Sequence, residues 1–291
     1  EFKGIRLREG RLLFSPIVGG LKLNLHRPVQ EGSSIKSCTF TRRGRHWWIT
    51  MAVDVAVVAG HDAPAAAVGI DVGVAHLATT SAGEHFQNAR PRSRRERELR
   101  VAARALARCK RGSKRRRKVR ARLALLQLRV KAARNTHLHQ VSAELTRRYA
   151  FIAVEDLKLR NMTRSAAGTV EAPGKNVRQK VGLNRSLLDA APGRLIQLLT
   201  YKAERAGGLV VKVDPRGTSQ ECSSCGVTVE KKLSMRVHRC SCGTVLDRDH
   251  NAALNILNRA LVAHGRAKPP GDANVGHQPV RRLGTAVAKA A

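Results

Sequence analysis

The chain has 291 residues, enough for roughly two domains, and 42% of them are hydrophobic, so a core can form. Lysine and arginine total 55 against 21 acidic residues, a net charge of +34 that argues against cationic substrates and points to a polyanionic partner, with nucleic acid first and an anionic membrane surface second. No run of about 20 apolar residues exists to span a bilayer, and no signal peptide opens the chain.

Residues 1–58 read as β-rich. Leu21 to Leu25 alternate in polarity with period two, as do Trp47, Ile49, Met51, Val53 and Val55. Arg43-Gly44-Arg45 supplies a turn before the second run. A small barrel or half-barrel is expected, with Arg42, Arg43 and Arg45 on a loop, either solvated or in contact with a partner. Residues 60–64 read as a linker. Ala65 to Gly73 is an apolar, small-residue run that leads into a lone carboxylate, Asp71. A buried carboxylate needs a partner, and a metal ion is a good one; a strand-end turn is the alternative. Gly69 and Gly73 are expected to leave room for a phosphate backbone. Val74 to Thr80 continues as a strand, and Ala82-Gly83 turns into a third.

Residues 90–149 read as two basic antiparallel helices joined at Gly112. Leu99, Ala102, Ala103 and Leu106 form one apolar stripe. Val119, Leu123, Leu126, Val130, Ala133, His137 and Val141 form the other, close to an a/d seam. His137 and His139 are read as packing residues. Lys110, Arg111, Lys114, Arg115, Arg116, Arg117 and Lys118 cluster at the tip. A single-signed run of this kind is expected to bind a nucleic-acid backbone rather than only face water. With 3% aromatics, stacking platforms are sparse and phosphate contacts should dominate.

Ala150 to Leu157 is a second apolar strand, ending in Glu155. Residues 161–186 show little periodicity and read as a mobile loop or lid. Leu187 to Arg205 is expected to be helical with a break near Pro192, and Leu209 to Val213 to be a strand.

Four of the six cysteines follow as two close pairs, Cys222/Cys225 and Cys240/Cys242. Two pairs on two turns suit a tetrahedral Zn²⁺, with His238 as an alternative ligand and reduced structural cysteines as the alternative to a metal. The second pair is C-x-C rather than C-x-x-C. Gly226 and Gly243 stand where each knuckle needs backbone freedom. Metal-spaced cysteines suit a reducing cytosol. Asp247 and Asp249 follow directly, and Asp249 stands where the N-cap of a helix over 251–257 is expected. Asp71, Glu155 and Asp249 could meet at one edge of a sheet. Three such acids are what two Mg²⁺ ions, ~4 Å apart, need for phosphodiester hydrolysis.

The chain resembles the TnpB proteins, the OrfB-type transposase accessory proteins of small bacterial insertion sequences and relatives of type V CRISPR effector nucleases. The matching strings are G-I-D-V-G-V-A-H-L-A-T at 69–79, I-A-V-E-D-L at 152–157, L-N-R-S at 183–186, D-A at 189–190, Y-K-A-E at 201–204, V-D-P-R-G-T-S-Q-E-C-S-S-C-G at 213–226 and D-R-D-H-N-A-A-L-N-I-L at 247–257. The resemblance implies an α/β fold: a RuvC/RNase H-like mixed sheet with a helical-hairpin insert and a zinc ribbon, preceded by a small β-rich, wedge-like segment. It implies catalytic roles for Asp71, Glu155 and Asp249 with two Mg²⁺, and one structural Zn²⁺ at Cys222, Cys225, Cys240 and Cys242. It further implies a guide RNA from the transposon end, a double-stranded DNA target, no membrane partner, and a cytoplasmic, nucleoid-associated place in a bacterium or archaeon.

The expected division is a wedge-like segment at 1–60 and a nuclease core at 61–214 with a basic insert at 90–149. A zinc ribbon at 215–245, a final core helix at 246–264 and a disordered basic tail at 265–291 follow. Family members carry further parts ahead of the point where this chain begins, so it reads as N-terminally truncated. The expected activity is RNA-guided DNA cleavage. A catalytically silent RNA- or DNA-binding derivative is the alternative, and the cysteine knuckle just before the third acid disfavours a DDE-type strand-transfer enzyme.

Overall fold

A computed structural model describes residues 5–14, 17–25, 29, 33–43, 46–54, 66–232 and 234–265. The first strands are β1 (Arg6–Arg8), β2 (Arg11–Phe14) and β3 (Ile17–Lys22), which form an antiparallel three-stranded sheet. A hairpin of β4 (Ser34–Arg43) and β5 (His46–Asp54) is a separate two-stranded sheet. The described residues of this segment thus form two small sheets and not a closed barrel. On β5 the inward side alternates through Ile49, Met51 and Val53, as the sequence pattern requires. The alternation over Leu21 to Leu25 instead leaves the strand after Lys22. Val55, the turn residues Gly44 and Arg45, the 60–64 linker and the tail beyond residue 265 lie outside the described residues.

The central sheet has five strands in the order β10-β9-β6-β7-β8. They are β6 (Ala67–Asp71), β7 (His76–Thr80), β8 (His85–Gln87), β9 (Phe151–Glu155) and β10 (Leu209–Val213). The pairs β6/β9 and β9/β10 are parallel, while β6/β7 and β7/β8 are antiparallel, so the sheet is mixed. Tight turns join β6, β7 and β8, whereas the parallel strands need long helical crossovers.

The first crossover holds α1 (Pro91–Arg94), α2 (Glu96–Ala107) and α3 (Lys114–Arg148). Gly112 takes a φ of 82° between α2 and α3, and Ser113 caps α3 by accepting the Arg116 N–H at 3.1 Å. The expected stripe on α3 holds through Val130 and again at Val141, but steps aside by one residue between them. Ala133 is exposed, Leu138 is turned inward beside His137, and the inward line continues to Leu145. The inward place next to Ala133 is taken by Arg134, which pairs with the buried Asp189 at 2.9 Å. His137 donates to or accepts from the Gln87 carbonyl at 2.8 Å, a local tie between helix and sheet edge.

The second crossover holds α4 (Leu159–Met162), α5 (Val177–Ala190) and α6 (Pro192–Arg205). Residues 161–186 are therefore not one loop: α4 ends at Met162 and α5 begins at Val177. Val181, Leu183 and Leu188 on α5 are exposed, so no single apolar stripe marks this helix. Polar ties hold it: Asn184 Nδ2 donates to the Thr163 carbonyl at 2.9 Å, and Lys180 Nζ to Met162 O at 2.6 Å. The expected break falls at Ala191, whose φ of 52° separates α5 from Pro192.

After β10 come a short hairpin, β11 (Val237–Arg239) and β12 (Val245–Asp247), and the final helix α7 (Arg248–Ala263). The two faces of the central sheet bury different partners. Val68, Ile70, Ile152 and Val154 pack with Leu138, Leu145, Leu195 and Leu199 of α3 and α6. Phe151, Ala153, Val211 and Val213 pack with Ile256, Leu257, Ala260 and Leu261 of α7. Alternation along β6 and β9 therefore turns Asp71 and Glu155 toward the α7 side. Gly69 makes this packing possible. A Cβ there would lie 2.1 Å from the Ala253 carbonyl oxygen and 2.7 Å from Leu257 N. Its smallness serves helix-on-sheet contact, not the expected approach of a phosphate.

Candidate active site and cysteine cluster

Asp71 and Glu155 end two neighbouring parallel strands. The register pairs Ile70 with Val154, so Asp71 stands beside Glu155, one strand spacing of about 4.8 Å away. The carboxyl ends of parallel strands are where open α/β sheets place their sites. Asp249 arrives from above, in the first turn of α7. The N-cap is not Asp249 but Asp247, whose Oδ1 accepts the N–H groups of Asp249 and His250 at 2.9 and 3.1 Å. Capping therefore does not account for Asp249, and Asp247 is a positioning residue for the helix that bears it.

The electrostatics follow from this convergence. Burial pushes the Asp71 carboxyl up from its ordinary 3.8 to about 8; the charges of Glu155 and Asp249 add to the shift, Arg248 opposes it and Asp247 adds further. Glu155 is also raised by burial, against the lowering effects of the Thr218 hydroxyl and of Arg259. Thr218 Oγ1 donates to Glu155 Oε1 at 2.6 Å. Arg248 directs Nε and Nη2 to Asp249 Oδ1, each at 3.1 Å. Nothing local in the sequence points to these contacts of Thr218, Arg248 and Asp247. The only signal for Arg248 is its place between two carboxylates.

The four cysteine thiols converge within 4.8 Å of one another. Cys222 and Cys242 lie 3.7 Å apart, and Cys225 and Cys240 lie 3.5 Å apart. A tetrahedral ion with metal–sulfur bonds of about 2.3 Å needs sulfur–sulfur edges of roughly 3.8 Å, so the donor set fits a metal. The shortened C-x-C pair closes because Gly243 takes a φ of 90° and donates to the Cys240 carbonyl at 3.0 Å. Cys242 is lowered to about 6, chiefly by the Thr244 hydroxyl and backbone, and Cys222 to about 7, where backbone N–H groups and His238 outweigh burial. His238 is fully buried beside the cluster and contacts Lys231; it is not among the four converging ligands.

Two buried asparagines of α7 tie this turn to the helix. Asn251 Nδ2 donates to the Glu221 carbonyl at 2.7 Å, and its Oδ1 accepts the Ser223 N–H at 3.0 Å. Asn255 Nδ2 donates to the carbonyls of Thr218 and Glu221, both at 2.8 Å. The cysteine turn, the Thr218 loop and the Asp249 helix thus form one hydrogen-bonded unit.

Six residues of the basic tip, Lys110, Arg111, Lys114, Arg115, Arg117 and Lys118, are exposed. Arg116 is spent inside: its Nη1 donates to the carbonyls of Leu106 and Cys109 at 2.9 and 3.1 Å, closing the C-terminus of α2. Among the described residues no helix is long and apolar enough to cross a membrane.

Residues 193–256 match the family described as "Cas12f1-like, TNB domain", and residues 50–166 match OrfB_IS605, described as "Probable transposase". The chain is 35% identical over 268 residues to "Putative RNA-guided DNA endonuclease InsQ" of Escherichia coli (strain K12), covering 90% of this chain and 66% of that protein. It is 34% identical over 260 residues to a "Putative RNA-guided DNA endonuclease" of Streptomyces pristinaespiralis, covering 88% and 60%. A CRISPR-associated endodeoxyribonuclease Cas12f1 of Sulfoacidibacillus thermotolerans is 44% identical over 64 residues, 21% of this chain and 15% of that one. Among solved structures, a CRISPR-Cas12f ternary complex aligns at 20% identity and a TM-score of 0.45, covering 76% of this chain and 44% of that one. The chain spans less than two thirds of the length of the first two relatives. On the two family matches and the long alignments, the chain belongs to the TnpB/OrfB transposase family.

Proposed function

We propose that this chain is the nuclease part of a transposon-encoded, RNA-guided DNA endonuclease with a RuvC-like site. The observation that carries the reading is the convergence of Asp71, Glu155 and Asp249, whose charges add to the rise to about 8 that burial chiefly imposes on the Asp71 carboxyl. A cluster of buried acids is unstable as anions unless a cation is shared among them. Two Mg²⁺ ions, when bound there, supply an activated water and stabilise the leaving oxygen of a phosphodiester. Asp71, Glu155 and Asp249 hold that site. Thr218 fixes the orientation of Glu155, and Asp247 fixes the helix that carries Asp249. The strand order, with Asp71 and Glu155 on adjacent parallel strands, supports an RNase H-like sheet.

In this reading the four cysteines hold one structural Zn²⁺, and the ribbon braces α7 through Asn251 and Asn255. The exposed basic tip of α2 and α3 holds nucleic-acid phosphates. A guide RNA from the transposon end supplies sequence recognition, while the protein reads duplex shape. The expected division into a wedge-like segment, an interrupted core and a ribbon stands as part of this reading.

The test is cleavage of a plasmid library in Mg²⁺, with the protein co-expressed with its flanking locus beside an Asp249→Ala control. Cutting at a defined site that disappears in the control supports the reading. RNA and DNA binding with no cutting by the wild-type chain favours a catalytically silent binding protein.

A further inference from the structure

Each oxygen of the Asp249 carboxylate faces an arginine. Arg248 places Nε and Nη2 at 3.1 Å from Oδ1, and Arg236 places Nη1 3.7 Å from Oδ2. Arg248 and Asp249 are sequence neighbours, and neighbouring side chains on a helix normally point apart. Arg248 meets Asp249 because it occupies the first position of α7 and folds back across the helix end. Its backbone N–H donates to the Arg236 carbonyl at 2.7 Å, and its Nη1 reaches the Met235 carbonyl at 3.5 Å. Arg248 is thus held against the residues that lead into β11, and Arg236 stands directly before that strand.

A carboxylate oxygen has two acceptor sites. The two N–H groups of Arg248 fill both on Oδ1. A cation that takes Oδ1 must displace them, and the guanidinium repels it until it leaves. The contact is well placed to matter: the Arg248 and Asp249 side chains are only 18% and 13% exposed, so water screens it weakly.

We propose that Arg248, assisted by Arg236, is an internal counter-ion of Asp249 that competes with the divalent cation, so that cation entry and release of Arg248 are a single event. This rests on the reading of Asp249 as a metal-holding residue. Arg248 is a positioning residue: it sets when Asp249 becomes available. The charge of Asp249 is thereby balanced in the apoprotein, and cation loading is made weaker than the acid cluster alone would give.

The experiment titrates Mn²⁺ alone into the full chain and follows free Mn²⁺ by electron paramagnetic resonance. The relevant site is the one that disappears in Asp71→Asn. Arg248→Gln should bind Mn²⁺ about tenfold more tightly, the effect of removing a close competing charge. Arg236→Gln, whose side chain is 56% exposed, should tighten binding by about two- to threefold. It also keeps the test alive if Arg248→Gln fails to fold. Arg248→Lys should fall between wild type and Arg248→Gln, because a point charge still competes but cannot fill both acceptor sites. Unchanged or weaker Mn²⁺ binding in both glutamine variants, with the Asp71-dependent site intact in wild type, overturns the proposal. Absence of any Asp71-dependent Mn²⁺ site in wild type overturns the metal-site reading itself, and the proposal with it.

Discussion

The Thr218 hydroxyl donates a 2.6 Å hydrogen bond to Oε1 of Glu155, across a gap of 63 residues in the chain. Thr218 is itself fixed through its carbonyl, which accepts from Asn255 of α7. The acid at the end of a central strand is thus oriented by a loop held on the final helix. Thr218→Val keeps the shape and removes the donor. We expect about a tenfold drop in cleavage rate, since hydrogen bonds to charged groups contribute roughly 1.5–3 kcal/mol. The Glu155 carboxyl should also move up, because Thr218 lowers it. The acid limb of the rate profile then shifts to higher pH. A wild-type profile in Thr218→Val would remove this role.

Asp71 makes the stability of the metal-free protein depend on pH. Its carboxyl is raised from 3.8 to about 8 by burial and by Glu155 and Asp249. Between those values the folded state binds more protons than the unfolded state, so stability falls as pH rises from about 4 to about 8. Above that range both states are ionised at Asp71 and the decline is complete. Mg²⁺ should therefore raise the melting temperature more at pH 8.5 than at pH 5. Asp71→Asn should flatten the metal-free pH dependence. Calorimetry across that range, with and without Mg²⁺, checks both.

Gly69 is where α7 rests on the sheet. With a Cβ placed 2.1 Å from the Ala253 carbonyl, Gly69→Val should cost about 3 kcal/mol, at the upper end for overpacking. It should also weaken cleavage, because moving α7 moves Asp249. Urea melts of Gly69→Val and Gly73→Ala separate the two glycines. The nearest atom to a Cβ at Gly73 is the His76 carbonyl oxygen, at 3.2 Å, and this change should be far milder.

The cysteine turn should carry one zinc per chain by metal analysis. Cys222→Ser should lower the content sharply. Chelation should also loosen the turn from α7, read as faster amide exchange at Ser223, whose N–H is held by Asn251. Protection at Ser223 that survives complete zinc removal would show that the asparagine ties suffice alone.

The basic tip should split into two classes. Removing Arg111, Arg115 or Arg117 should make the log–log salt dependence of nucleic-acid binding shallower by about 0.7–0.9 for each phosphate no longer neutralised, with no change in melting. Arg116→Ala should instead lower the melting temperature, because two carbonyls at the end of α2 lose their donor.

Much of this is legible in the residues. Period-two alternation marks β5, apolar runs mark β6 and β9, a helical stripe marks α2, and two cysteine pairs followed by glycines mark the turn where four thiols converge. Those signals are local, or depend on residue types with few alternative uses. Two of the features that differ from expectation depend on partners elsewhere in the chain, and the third on where a helix begins. α5 is hidden because polar ties to Met162 and Thr163, not an apolar stripe, hold it. The stripe of α3 steps aside between Val130 and Val141, where Asp189 gives Arg134 an inward place. The cap of α7 falls to Asp247 because β12 runs directly into the helix.

The sequence by itself determined the donor types, the four thiols and the three acids, along with the net charge of +34. Alternation fixed only that Asp71 takes the face opposite Ile70 and Glu155 the face opposite Val154; which face turns to α7 was not in the sequence, because both faces of these strands are apolar. Only the tertiary structure decided that Asp71 and Glu155 sit side by side, that α7 can approach over Gly69, and that arginines hold Asp249. Parallel pairing is made by crossovers of many residues, and a guanidinium–carboxylate contact depends on where two helix ends and loops come to rest. Neither is written in local periodicity.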